Sequence, residues 1–262
     1  MTKTQPKWAV VTGASGGIGL ALARQCAAHG YAVVLAGRDE PLLNKAAQHI
    51  EQKYGVATVV QVIDLSQDGA PEKLYQATRQ QNRQVELLIN NAGFGDNGAF
   101  ADSAAATNQS MIAVNVAALT GLCRLYGADM VARGHGNVMN VASTAAFLPG
   151  PYMAVYYATK AYVLSLSQAL AEEWWGSGVH VTALCPGPTQ TNFAKTARAT
   201  RSSLFRGKLP TADMVAAYGF KAMQRGKVIA VHGVRNKIIA QATRILPRSL
   251  QRRLAAQAQR PA

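Results

Sequence analysis

Seven short apolar runs, beginning near Trp8, Tyr31, Thr58, Val85, Asn137, His180 and Val228, punctuate the chain. Between them lie longer segments whose apolar residues recur at helical spacing. After the first run, Ile18, Leu22 and Cys26 fall on one stripe, and Leu20, Ala23 and Ala27 on its neighbour. The longest such segments run around Thr107 to Arg133 and Val155 to Trp175. Strand-type runs alternating with helical segments predict an α/β protein: a doubly wound parallel sheet of about seven strands with helices on both faces. A length of 262 residues suits one undivided domain spanning 1–262. With few polar residues before Trp8, no signal sequence is expected, and no apolar stretch is expected to reach the roughly 18 to 20 residues of a membrane span.

The first run, Trp8-Ala9-Val10-Val11, leads into Thr12-Gly13-Ala14-Ser15-Gly16-Gly17-Ile18-Gly19 and then a helical pattern. Strand, glycine turn and helix in that order are the context a dinucleotide fingerprint requires, here with Gly13, Gly17 and Gly19 in the wider spacing G-x-x-x-G-x-G. The glycines let the backbone approach a pyrophosphate, and the helix N-terminus offers N–H groups and a positive dipole end. The second strand, Tyr31 to Ala36, ends in Gly37-Arg38-Asp39. In a doubly wound fold that strand end faces the adenosine ribose. Arg38 can grip a 2′-phosphate there through its fork of donors, which favours NADP(H) over NAD(H).

Tyr156 and Lys160 stand four apart in the second long helical segment, so they share one helix face. A cation stabilises a phenolate. At about 4 Å and an effective dielectric of about 20 the attraction is on the order of 4 kcal/mol, enough to lower a phenol's pKa by roughly three. Tyr157 lies three from Lys160, so the register favours Tyr156 and leaves Tyr157 to pack or to line the entrance.

In order along the chain, these motifs resemble the short-chain dehydrogenase/reductase family in its single-domain, NADP-preferring, Rossmann-fold form. The resemblance runs from about Trp8 to Thr191. It includes the TGxxxGxG turn (Gly13, Ser15, Gly17, Ile18 and Gly19), the acidic Asp64 beside the adenine, and Asn91, Ala92 and Gly93 of the NNAG motif. Asn115, Ser143 and the Tyr156/Lys160 pair follow, and Pro186-Gly187, Thr189 and Thr191 form the PGxxxT stretch under the nicotinamide.

The resemblance implies hydride transfer between NADP(H) and a carbonyl or alcohol. In it Ser143 positions the substrate oxygen, Tyr156 moves the proton, Lys160 lowers the phenol's pKa and binds the nicotinamide ribose, and Asn115 holds a relay water. It also implies a homodimer or homotetramer built on the two long helices, where Ala113, Ala117, Ala118, Ala161 and Ala169 permit close approach. A catalytically silent dinucleotide-binding regulator or membrane scaffold is the rival reading, in which an activated phenol would be superfluous. Residues 188–212 correspond to the substrate loop. Phe94, Phe147, Leu148, Met153 and Phe193 are the apolar candidates for holding substrate, with Ser143, and suggest a hydrophobic ketone or aldehyde. Basic residues in the loop could also attract an acidic substrate, such as an acyl chain on a phosphorylated carrier.

Charge adds a second theme. The net +14 sits entirely in residues 174–262, which carry 15 Lys and Arg against one acid, Asp213. Lys195, Arg198, Arg201, Arg206 and Lys208 fall in the substrate loop. Residues 234–262 form a basic amphipathic extension in which Ile238, Ala242, Ile245 and Leu246, then Leu250 and Leu254, make an apolar stripe. Lys237, Arg244, Arg248, Arg252, Arg253 and Arg260 flank it, and Pro247 should end or kink its first helix. Packing on the body of the protein is the first reading, peripheral contact with an anionic membrane the second. Nucleic-acid binding is not expected, for want of a recognisable motif. Cys26, Cys123 and Cys185 have neither disulfide nor metal spacing, so a metal is not implied and a cytoplasmic setting is expected.

Overall fold

Strand β1 (Trp8–Thr12) is buried along its whole length, as a central strand covered on both faces must be. The structure, a computed structural model, describes residues 6–80, 83–200, 202–205 and 207–259. Arg201, Arg206 and Arg260 lie outside the described residues. Six further strands follow: β2 (Ala32–Gly37), β3 (Thr58–Val62), β4 (Val85–Asn90), β5 (Gly136–Val141), β6 (Val179–Cys185) and β7 (Ile229–Val231). They form one sheet in the order β3-β2-β1-β4-β5-β6-β7, every pairing parallel. The order reverses between β1 and β4, and the crevice beyond their C-terminal ends is where such sheets bind ligands.

The helices are α1 (Gly17–Ala28), α2 (Glu40–Tyr54), α3 (Ala70–Arg79), α4 (Ala105–Ile112) and α5 (Leu119–Arg133), then α6 (Ala154–Glu173), α7 (Phe193–Thr196), α8 (Ala212–Gln224), α9 (Val234–Ala242) and α10 (Arg248–Gln259). Successive strand residues point to opposite faces, and the packing follows that rule. Trp8 and Val10 join a core with Leu74 of α3, Leu122 and Met130 of α5 and Val163 of α6. Ala9 and Val11 join another with Leu22 of α1, Leu43 and Ile50 of α2 and Phe220 of α8. Cys26, Cys123 and Cys185 are free and buried.

Two expectations change. A π-helical stretch, Ala113–Ala118, joins α4 to α5, so Ala105–Arg133 is one continuous helix of 29 residues. By length and hydropathy it is apolar enough to cross a membrane, contrary to the expectation that no stretch would be. Its apolarity serves the fold: α5 packs Leu119, Leu122 and Met130 into the core. Of the small residues on the long helices, Ala118 packs into that core, whereas Ala117, Ala161 and Ala169 are exposed.

The basic extension also differs from its first reading. Pro247 does separate two helices, α9 and α10. Ala240, Ala255 and Gln259 are the residues that turn inward to the body, however, while Gln251 is buried between the helices and Ile238, Ile245, Leu250 and Leu254 remain exposed.

Candidate functional site

A cleft of about 740 Å³ runs along the C-terminal ends of the central strands, from Arg38 at one end to Phe205 at the other. Its floor is the glycine turn. Gly13 adopts φ +65°, and a side chain there would come within 2.8 Å of Asn91 Nδ2, so only glycine fits without strain. Asn91 braces the turn: its amide donates to Thr12 O at 2.9 Å and to Gly13 O at 3.2 Å. Thr12 Oγ1 accepts from the Asn91 and Ala92 backbone N–H groups at 3.0 Å each. These bonds lock the β1 turn to the end of β4.

The turn suits a pyrophosphate. Helix α1 has no side-chain cap, because Gly16 occupies its N-cap, which leaves first-turn N–H groups to be met by a ligand. A Cβ on Gly16 would meet nothing within 4 Å, and Ser15, Gly16, Gly17 and Ile18 all line the cleft. Beyond them Arg38 and Asp64 line its adenine end. Backbone and side-chain hydrogen bonds from Ser66, at 3.0 and 2.9 Å, hold the Asp64 carboxyl below its usual range, and the Arg38 charge adds to that effect.

At the other end Ser143, Tyr156 and Lys160 meet. All three line the cleft, and Ser143 and Tyr156 share a hydrogen bond. Ser143 also caps the 3₁₀ turn Thr144–Phe147, accepting from Ala145 N at 3.1 Å. The Lys160 ammonium lies 5.8 Å from the centre of the Tyr156 ring and donates to Val141 O at 2.8 Å. Burial pushes the Tyr156 phenol up, and the Ser143 hydrogen bond only partly offsets it. The phenol's own burial, rather than the cation one turn on, sets that direction. Burial likewise pulls Lys160 down to about 8.

A sequence model of the short chain dehydrogenases matches residues 7–202. The chain belongs to the short-chain dehydrogenase/reductase family. The mouse protein named very-long-chain 3-oxoacyl-CoA reductase is 32% identical over 207 residues, which are 74% of this chain and 63% of that one. The chain thus spans under two thirds of that relative's length. Among solved structures, a short-chain dehydrogenase from Sphingobium yanoikuyae in complex with NADPH superposes with a TM-score of 0.82 at 29% identity, covering 91% of this chain and 94% of that one. A family member from Burkholderia phymatum in complex with NAD gives 0.84 at 27% identity, covering 96% and 97%.

Set out as a short-chain dehydrogenase/reductase, the chain places most of the expected residues on the cleft, including Gly93, Phe94, Met153, Pro186, Gly187, Thr189, Thr191 and Phe193. Four do not line it; of these, Leu148 packs in the cluster beside the site. Gly19 sits behind the turn, where a side chain would overlap Gly13 O; it sets the packing of α1 on β1 rather than touching the cleft. Asn115 is buried in the π-helical stretch. It accepts from Phe94 N at 3.1 Å and donates to Phe94 O at 2.9 Å and Thr159 Oγ1 at 3.1 Å, so its amide fixes the segment after β4. Phe147 turns back onto the main core. In a 3₁₀ turn residues three apart share a side, which sends Ala145 and Leu148 to the site cluster and Phe147 away from it.

Other lining residues lacked a sequence signal. Leu204 and Phe205 complete the apolar wall, and Gln259 of α10 reaches it from far along the chain. The Gln259 amide donates to the Tyr157 hydroxyl. Its backbone carbonyl accepts from Asn97 Nδ2 at 3.2 Å, and the neighbouring Ala258 carbonyl accepts from Ser202 Oγ at 2.9 Å. No periodicity within α10 could announce contacts that depend on the fold of three distant segments.

Proposed function

We propose that this chain is an NADP(H)-dependent oxidoreductase that interconverts a hydrophobic ketone or aldehyde and its alcohol. The observation that carries the reading is the convergence of Ser143, Tyr156 and Lys160 on one cleft beside an apolar wall of Phe94, Met153, Phe193, Leu204 and Phe205. The names of the mouse reductase and of the NADPH complex support it. Gly13, Gly17, Ile18 and the uncapped α1 N-terminus would hold the pyrophosphate, Arg38 the 2′-phosphate, and Lys160, Thr189 and Thr191 the nicotinamide half. When bound, the nicotinamide supplies or accepts hydride.

The side chains do the rest. Ser143 donates a hydrogen bond to the substrate oxygen and fixes its position. Tyr156, kept protonated by burial, gives its phenolic proton to that oxygen. Lys160 then offsets the phenolate charge left behind. Asn115 acts through the backbone it clamps at Phe94 and so keeps the cleft wall in register. The exposed alanines of the long helices, with Ile112, Val131 and Tyr162 also exposed, offer a face for a second copy of the chain, and a homodimer or homotetramer on that face is part of the proposal.

Screening carbonyl compounds for NADPH consumption tests the reading: turnover of bulky apolar ketones supports it, and inertness toward all carbonyl classes in both directions refutes it. Arg38→Ala tests the cofactor preference. It should raise the KM for NADPH by roughly 10- to 100-fold, as loss of a charge-assisted bidentate pair implies, while the KM for NADH barely moves. An equal rise for both would remove the assignment.

A further inference from the structure

We propose that the α9–α10 pair docks the protein on an anionic lipid surface. An amphipathic helix of a globular protein ordinarily buries its large apolar residues and exposes its polar ones. These two helices do the reverse. Ala240 of α9 and Ala255 and Gln259 of α10 turn inward, while Val234 and Ile238 of α9, and Ile245 in the turn between the helices, are 73%, 64% and 87% exposed.

Val234 and Ile238 are four apart and therefore share a helix face; Ala240, the buried residue of α9, lies on the opposite side. Leu250 and Leu254 repeat the spacing on α10 and are also exposed. Single exposed aliphatics need no explanation, but a recurrent outward face does. Gln251 fastens the two helices together, donating to Thr243 O at 2.8 Å and Leu246 O at 2.7 Å, so the pair is held as one surface element.

Charge selects the partner. Arg235, Lys237, Arg244, Arg248, Arg252 and Arg253 flank the apolar residues, and no Asp or Glu follows Asp213. A second copy of the chain would bring like charges together, which opposes association. A nucleic acid would satisfy the cations but leave the aliphatic side chains in water. A bilayer with anionic headgroups satisfies both: aliphatic side chains enter the interface while basic ones meet phosphates.

The test uses the full chain and vesicles of phosphatidylcholine with or without phosphatidylglycerol, read by co-sedimentation. Binding should require phosphatidylglycerol and weaken with salt. Arg252→Ser/Arg253→Ser should weaken it by on the order of thirtyfold, roughly fivefold per basic residue. Ile238→Ser/Ile245→Ser should weaken it further than salt alone does. Both pairs are exposed, and retained NADPH-fluorescence titrations will report an intact fold. Absence of binding to the anionic vesicles overturns the proposal. So does an isoleucine pair that leaves partitioning unchanged, or one that instead splits an oligomer in sedimentation velocity. Tighter binding to duplex DNA than to the vesicles would also overturn it.

Discussion

Tyr156→Phe should lower kcat for carbonyl reduction by on the order of a thousandfold, within the range expected for loss of a positioned general acid. The ring packs against Phe193, with centroids 5.3 Å apart, and the substitution keeps that packing. KM for the cofactor and thermal stability should therefore barely change. If turnover survived, the phenol would not be the proton donor. The pH dependence sharpens the prediction. Because burial raises the phenol, it stays protonated throughout the neutral range. Reduction should then be flat with pH there, whereas alcohol oxidation, which needs the phenolate, should accelerate as pH rises into the alkaline range. A reductase whose two directions share one neutral optimum would contradict this assignment.

Lys160→Met should abolish turnover and yet stabilise the cofactor-free protein. Burial lowers the ammonium from 10.5 to about 8, a displacement corresponding to about 3 kcal/mol against the folded state. The lysine does donate one hydrogen bond, to Val141 O, worth about 1 kcal/mol. An apolar replacement of similar length should thus gain on the order of 2 kcal/mol. Between about 8 and 10.5 the unfolded chain holds a proton that the folded chain has released, so the native protein gains stability as pH rises through that window. The burden is full below it. Denaturant titrations at neutral pH and near pH 10 should show the Met variant's advantage shrinking at the higher pH. An advantage independent of pH would mean the buried charge is not its origin.

Much of this was legible in the sequence because the physics is local. A strand covered on both faces, such as Val10-Val11 or Val33 to Ala36, is nearly all apolar, and a glycine turn before a helix has few other uses. The four-residue spacing of Tyr156 and Lys160 did place both on one cleft. What the sequence hid depends on surroundings. Spacing argued that the cation would acidify the phenol; the depth at which the phenol sits decides the opposite direction. Phe147 was a reasonable wall residue until the 3₁₀ turn rotated it toward the core. Asn115 was expected to hold a relay water; that its side-chain amide would also clamp Phe94 and Thr159 depends on where those segments fold. The apolar stripe of the extension was visible, though not that its small residues would meet the body and its large ones the solvent.

The end of α10 ties together three segments: Tyr157, Asn97 and Ser202 hold it by hydrogen bonds, Ser202 Oγ facing both the Ala258 carbonyl and Gln259 Oε1. A ligand passing on the Gln259 side would have to part those ties, at about 1 kcal/mol apiece. Exchange by that side should therefore be slower than at an open crevice by on the order of a hundredfold, so that Gln259 would act on residence time rather than on grip at any one atom.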